Sequence, residues 1–234
     1  MQAKIRINNI NQITLPIAYH HIQQAAIYSL IKGNLHDQGY NYEKRDYKLF
    51  TFGPFSGSYI IKNKRITFYD SVGFEFRCLD ESVMNSVVHN IKEYGFRLGD
   101  ISYHNVSVEL SDIQIETDFM SIKMISPICV YETDEFKHTN YFSPVEEEFY
   151  YLVEDNFIRK YIAAYGMEPA SSISITADEI VNKDKYFTKY KNYYIEAWKG
   201  QYALEGDPAY LTFLYNTGLG AKNSQGFGMF NIQE

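Results

Sequence analysis

The apolar spacing of this 234-residue chain runs through one order of patterns twice, and that order restricts the fold more than any other feature. Residues 3–17 read as a strand, interrupted at Asn8, Asn9 and Asn11 and ended by Pro16. Ile22, Ala25, Ala26, Ser29 and Leu30 then share one face of a helix, with His21, Gln24 and Tyr28 on another and Gly33-Asn34 as its stop. Strand-like runs follow at 47–52, 59–61, 66–69 and 74–78, separated by turn residues, including a basic hairpin tip at Lys62, Asn63, Lys64 and Arg65. Asp80 caps a second helix with Val83, Val87, Ile91 and Tyr94 on its apolar face, Gly95 ends it, and an alternating strand over 101–116 closes the round.

The second round opens with a strand at 120–131. Ser143-Pro144-Val145-Glu146 reads as a capping box, starting a helix whose apolar side carries Phe149, Leu152, Val153, Phe157 and Tyr161 and which stops at Gly166. Strands at 171–181 and 190–204, a short helix from Pro208, a glycine-rich turn and a last strand at 227–232 complete it. Each round is β-α-β-β-α-β, the ferredoxin-like order, so the expected fold is α+β with two tandem ferredoxin-like domains and antiparallel sheets. The expected domains are 1–117 and 118–234, which suits a length between one and two domains of ~150 residues.

The net charge of −7 argues against a nonspecific nucleic-acid or anionic-membrane binder. Aromatic residues, at 17%, suit a β-rich core and serve equally as stacking platforms for bases. Cys78 and Cys129 form no CxxC and no cluster with histidine, so neither a disulfide framework nor a zinc site is expected, and a reducing cytoplasm suits them. Residues 1–6 lack an apolar signal core and no run of ~18 apolar residues occurs, so a soluble protein without a membrane partner is expected.

Two segments carry candidate chemistry. The run 218–228 sets Gly218, Gly220, Gly226 and Gly228 around Lys222, Asn223, Ser224 and Gln225, a composition that lets backbone N–H groups approach an anion; it equally suits a plain hairpin-like turn. The other is Leu35-His36-Asp37-Gln38-Gly39-Tyr40 with the basic stretch Lys44-Arg45-Asp46-Tyr47-Lys48. A histidine there titrates near neutral pH beside cations able to hold a phosphate, with Tyr28 about two turns upstream; an ordinary surface histidine is the alternative. His20, His89, His104 and His138 read as solvated.

His36-Asp37-Gln38-Gly39-Tyr40 leading into Lys48-Leu49-Phe50-Thr51-Phe52, Ser126-Pro127-Ile128 opening the second half, and the closing glycine loop together resemble the Cas-six type of CRISPR-associated endoribonucleases, in the RAMP superfamily. The resemblance covers nearly the whole chain. It implies cofactor-free and metal-independent cleavage of precursor CRISPR RNA within its repeats by the RNA's own 2′-hydroxyl, leaving a 2′,3′-cyclic phosphate and a 5′-hydroxyl. Such chemistry needs an acid or base, here His36, and positive charge for the phosphorane, here Lys44 or Lys48, with Tyr28 orienting the hydroxyl. RNA contacts are expected from Arg45, Lys62, Lys64, Arg65 and Lys222 and from the glycine loop, clustered on one face. The expected partners are CRISPR repeat RNA and other subunits of an effector complex, with the protein itself a monomer or homodimer. A non-cleaving RNA-binding subunit and a ferredoxin-like interaction or small-ligand domain are the alternatives.

Overall fold

A computed structural model describes residues 1–31, 39–178, 184–190 and 193–233. In the first half, β1 (Gln2–Pro16), α1 (His20–Leu30), β2 (Phe50–Phe52), β3 (Ser56–Lys62), β4 (Arg65–Cys78), α2 (Glu81–Tyr94) and β5 (Val106–Ser111) follow in chain order. The sheet runs β2-β4-β1-β5 with β3 added beside β4, and every pairing is antiparallel. The second half has β6 (Phe119–Met124), α3 (Glu147–Tyr165), β7 (Ser174–Ala177), β8 (Lys185–Tyr190), β9 (Tyr193–Trp198), β10 (Gln201–Glu205), α4 (Pro208–Thr217) and β11 (Phe230–Ile232). Its sheet runs β7-β10-β6-β11, while β8 and β9 form a separate two-stranded ribbon. Numbering only the four principal strands of each sheet, both orders are 2-3-1-4, the ferredoxin-like topology expected from the sequence.

The helix signals act largely as read. The Asp80 carboxylate accepts from the Ser82 amide at 2.7 Å as expected, and the Asp207 carboxylate, which the sequence reading did not single out, accepts from the Ala209 amide at 2.8 Å, each relieving an unpaired N-terminal donor. Gly95 and Gly166 end α2 and α3 with φ of 76° and 72°. Ser143 and Glu146 do bond, through the Ser143 amide and hydroxyl, both at 2.7 Å, but they close a turn ahead of the helix, which begins only at Glu147.

Several strand boundaries differ. The runs 66–69 and 74–78 belong to one strand, β4, because Asp70 takes φ 63° and Asn9 opposite takes φ 53°, so the residues between form a bulge inside a continuous pairing. The expected strand 101–116 is broken. Ile101–Tyr103 folds back on Phe96–Leu98, and only β5 joins the sheet. Tyr94 is 65% exposed instead of buried, with Met84 taking the place on the apolar face of α2. The buried face of α1 is His20, Gln23, Ala26, Ile27 and Leu30, rotated from the expected one, and Ala25 is exposed.

Each half has its own core. Phe52, Phe68 and Phe76 are fully buried in the first, each contributing about 1.5–3 kcal/mol, and Phe149, Phe157 and Phe230 hold the second. The expected division at 117 lies between β5 and β6, yet Leu49, Tyr40 and Tyr47 from the first half pack into the second core. Polar bonds join the halves as well. The Arg77 guanidinium donates to the Phe230 carbonyl at 2.6 Å and to Asn231 Oδ1 at 3.0 Å. Tyr215 donates to Gln2 Oε1 at 2.8 Å, and Thr51 to the Phe227 carbonyl at 3.0 Å. Among the described residues, no helix is long and apolar enough to cross a membrane.

Candidate nucleic-acid interface

The glycine loop is wound around one side chain. Asn223 is buried, and its amide donates to the carbonyls of Leu219 at 2.9 Å and Phe227 at 3.2 Å. Its Oδ1 accepts from Lys160 Nζ at 3.1 Å, and the same ammonium donates to the Gly218 carbonyl at 2.5 Å. The winding leaves no room at Gly228, where φ is 77° and a Cβ would stand 2.0 Å from the Leu219 oxygen. Gly218, Gly226 and Gly228 do not form the expected open row of donors, since their amides bond to Leu214, Asn223 and Pro127 within the protein. Gly220 packs against the Cys129 carbonyl, and Asn223 is occupied by the loop's own backbone, so what the loop turns outward is Ala221, Lys222, Ser224 and Gln225, all half-buried.

Opposite that surface stands a small ribbon from the first half. Tyr40–Tyr42 pairs with Arg45–Tyr47 across Glu43 and Lys44, both at positive φ (48° and 65°). Arg159 of α3 fastens it through Glu43 at 2.8 Å while also bonding Asp155 at 2.8 Å. Tyr40 donates to Asp80 at 2.9 Å, and burial beside that carboxylate pushes its phenol up to about 12. Ribbon, helix α3 and glycine loop border an open cavity of about 220 Å³, lined among others by Arg45, Lys48, Lys160, Lys222 and Ser224. Lys222 Nζ lies 4.2 Å from the centroid of Tyr131, another lining residue. Asp46 also lines the cavity and accepts from Asn41 Nδ2 at 3.0 Å.

Arg45, Lys48, Lys222, Gly220, Asn223 and Ser224 are therefore brought together from opposite ends of the chain. Lys44 occupies the ribbon's turn and does not line the cavity. Lys62, Lys64 and Arg65 stand on a separate hairpin, with Asn63 and Lys64 in its turn at φ 51° and 58°, so the cationic candidates do not all meet at this cavity. His36 lies outside the described residues. Gly39, three residues on, has its open side 2.8 Å from the Tyr47 carbonyl and 3.1 Å from Lys48 Cδ, as measured to an added Cβ. The Tyr28 ring meets Phe50, two residues beyond Lys48, at 5.7 Å.

Two polar residues escaped the sequence reading. His20 is buried rather than solvated, stacked on Tyr19 at 5.3 Å and Phe227 at 6.2 Å, and burial with Lys199 nearby lowers it to about 4. Lys160 is 3% exposed, and burial lowers its ammonium to about 7. Its signal was present in the helical spacing, since it continues the buried stripe of Val153 and Phe157. Among the described residues, no group of three or more histidine, cysteine, aspartate and glutamate side chains could hold a metal ion.

Comparison with known proteins places this architecture. The family described as CRISPR associated protein Cas6, C-terminal, matches residues 110–232, just over half the chain. The CRISPR-associated endoribonuclease Cas6 of Pyrococcus furiosus is 27% identical, over 94% of this chain and 84% of its own. The CRISPR-associated endoribonuclease Cas6 1 of Methanocaldococcus jannaschii is 24% identical, over 100% of this chain and 94% of its own. A solved structure described as CRISPR associated protein Cas6 superposes with a TM-score of 0.79 at 22% identity, covering 100% of this chain and 99% of the other.

Proposed function

Since this chain belongs to the Cas6 family of CRISPR-associated proteins, we propose that it is an endoribonuclease that cuts precursor CRISPR RNA within its repeats, without metal, by attack of the RNA's 2′-hydroxyl. The observation that carries the reading is the convergence of Arg45, Lys48 and Lys222, distant in sequence, on one cavity of a chain whose net charge is −7. Local positive charge of this kind supplies phosphate contacts that the overall charge does not.

In the reaction, the 2′-oxygen bonds to the adjacent phosphorus and the bond from phosphorus to the 5′-oxygen breaks. The 2′-proton passes to a base and the departing oxygen receives one, leaving a 2′,3′-cyclic phosphate and a 5′-hydroxyl. His36 is the acid or base. Lys48 neutralises the phosphorane in preference to Lys44, because Lys48 lines the cavity whereas Lys44 sits in the ribbon's turn and does not. Tyr28, held against Phe50, orients the hydroxyl.

Incubating the protein with repeat RNA from its own genome in EDTA, followed by end-group analysis, tests the chemistry. Cyclic-phosphate and 5′-hydroxyl ends are expected. RNA bound but left intact would make the protein a non-cleaving subunit instead. His36→Ala is expected to slow cleavage roughly 10²–10⁴-fold, and an unchanged rate would remove His36 from the mechanism.

A further inference from the structure

Among the described residues, Lys160 is a buried lysine with no negatively charged partner. Its two acceptors, the Gly218 carbonyl and Asn223 Oδ1, are both neutral. Among the described residues, no carboxylate forms an ion pair with it. On its own helix, Asp155 is engaged by Arg159 at 2.8 Å. Across the cavity, the ribbon contributes Arg45, Lys48, Tyr47 and Asp46, the last bonded to Asn41, and the loop contributes Lys222. Tyr47 adds a buried hydroxyl with no hydrogen-bond partner among the described residues. A neutral amine has two N–H donors, which its two acceptors satisfy. The ammonium form carries a third donor and a full charge, and in this setting both call for an anion.

We propose that the cavity is a phosphate subsite in which one phosphodiester of bound RNA supplies the missing counter-ion of Lys160, so that RNA binding draws a proton onto that amine. The inference rests on the RNA-binding reading above and goes beyond it, because it assigns to a residue behind the glycine loop a thermodynamic role in recognition. The volume fits the assignment. At about 220 Å³ the space lies below the ~300 Å³ where small-molecule pockets begin, which suits a phosphodiester better than a whole nucleotide.

The sign of the linkage follows from the two states. In the free protein burial holds the ammonium low, near 7, and a bound phosphate raises it. Affinity is therefore greatest below about pH 7 and falls as the pH rises above it, by at most tenfold per unit, until the raised value of the complex is reached.

Isothermal calorimetry with the full chain provides the test, using genomic repeat RNA carrying a 2′-deoxy nucleotide at the cleavage position, in two buffers of different ionisation enthalpy at pH 8. Wild type is expected to take up close to one proton (~0.9) per RNA bound. Lys160→Met, checked for folding by circular dichroism, is expected to bind more weakly with no uptake, whereas Lys222→Met retains the uptake. Should Lys160→Met not fold, the wild-type affinity profile from pH 6 to 9 decides: flat below 7 and falling above it supports the subsite, and a flat profile throughout overturns it. Uptake that persists in folded Lys160→Met also overturns it. RNA that does not bind the wild type would refute the RNA-binding reading itself.

Discussion

Among the described residues two lysine or arginine side chains are buried, Arg77 and Lys160, and they differ in their partners. Arg77 is fully buried between the halves, yet its guanidinium meets the Glu75 carboxylate at 2.8 Å, the Phe230 carbonyl, Asn231 and, at 3.8 Å, the face of Tyr215. Lys160 is nearly as buried and, among the described residues, bonds only to neutral oxygens. A charge removed from water is stable when it is paired and bonded, as Arg77 is. Left without its counter-charge, it shifts toward the neutral form, as Lys160 does. The first cation completes a structure. The second leaves a position that a ligand's charge can fill.

That contrast can be broken or sharpened by measurement. Arg77→Ala has the largest expected effect, a loss of about 3 kcal/mol in denaturant unfolding, since it leaves the buried Phe230 carbonyl without this donor and the Glu75 carboxylate with Gln2 but no cation. A loss under 1 kcal/mol would mean that the apparent lock between the halves contributes little. The next concerns pH. Unfolded Lys160 holds its proton up to its ordinary value near 10.4, whereas the folded protein releases it near 7, so stability rises with pH between those limits. Wild type is expected to gain about 2 kcal/mol relative to Lys160→Met between pH 7 and 9. Above that window the buried Cys78 and Cys129 and the half-buried Tyr40, whose raised values favour the protonated folded state, act in the opposite direction. Parallel stability profiles for the two proteins would show that Lys160 stays charged when folded. The smallest effect belongs to the exposed tip: Lys62, Lys64 and Arg65 changed together to Ser should alter stability by under about 0.5 kcal/mol. Their effect on the salt dependence of RNA affinity should be smaller than that of Lys222→Met. An equal or larger effect would extend the RNA path to this hairpin.

Local signals carried the element order well. Asp80, Gly95 and Gly166 act within a few residues of themselves, through a cap and positive-φ stops, and no distant partner is needed for them to do so. The errors arose where one local signal has two structural outcomes. Asp70 at positive φ makes a bulge in β4, and the same residues in a sequence read as a turn between two strands. Ser143 and Glu146 bond as a capping box does, one turn too early to start the helix. The basic segment 44–48 and the loop 218–228 were each visible as candidates, but the glycines proved to be packing positions as well as a turn.

By itself the sequence determined two β-α-β-β-α-β units, because periodicity, caps and stops are properties of neighbouring residues. Tertiary structure alone decided which charges meet. Arg45 and Lys222 are far apart along the chain and share a cavity only because the ribbon 40–47 leaves its own half and packs on the second core, against α3. It also decided that Lys160 and His20, ordinary polar residues in a helical pattern, would be enclosed by the same loop, with Asn223 and Gly218 over one and Gly226 against the other. Burial is a collective property of packed elements, and the shift it imposes on a charge has no counterpart in any short stretch of sequence.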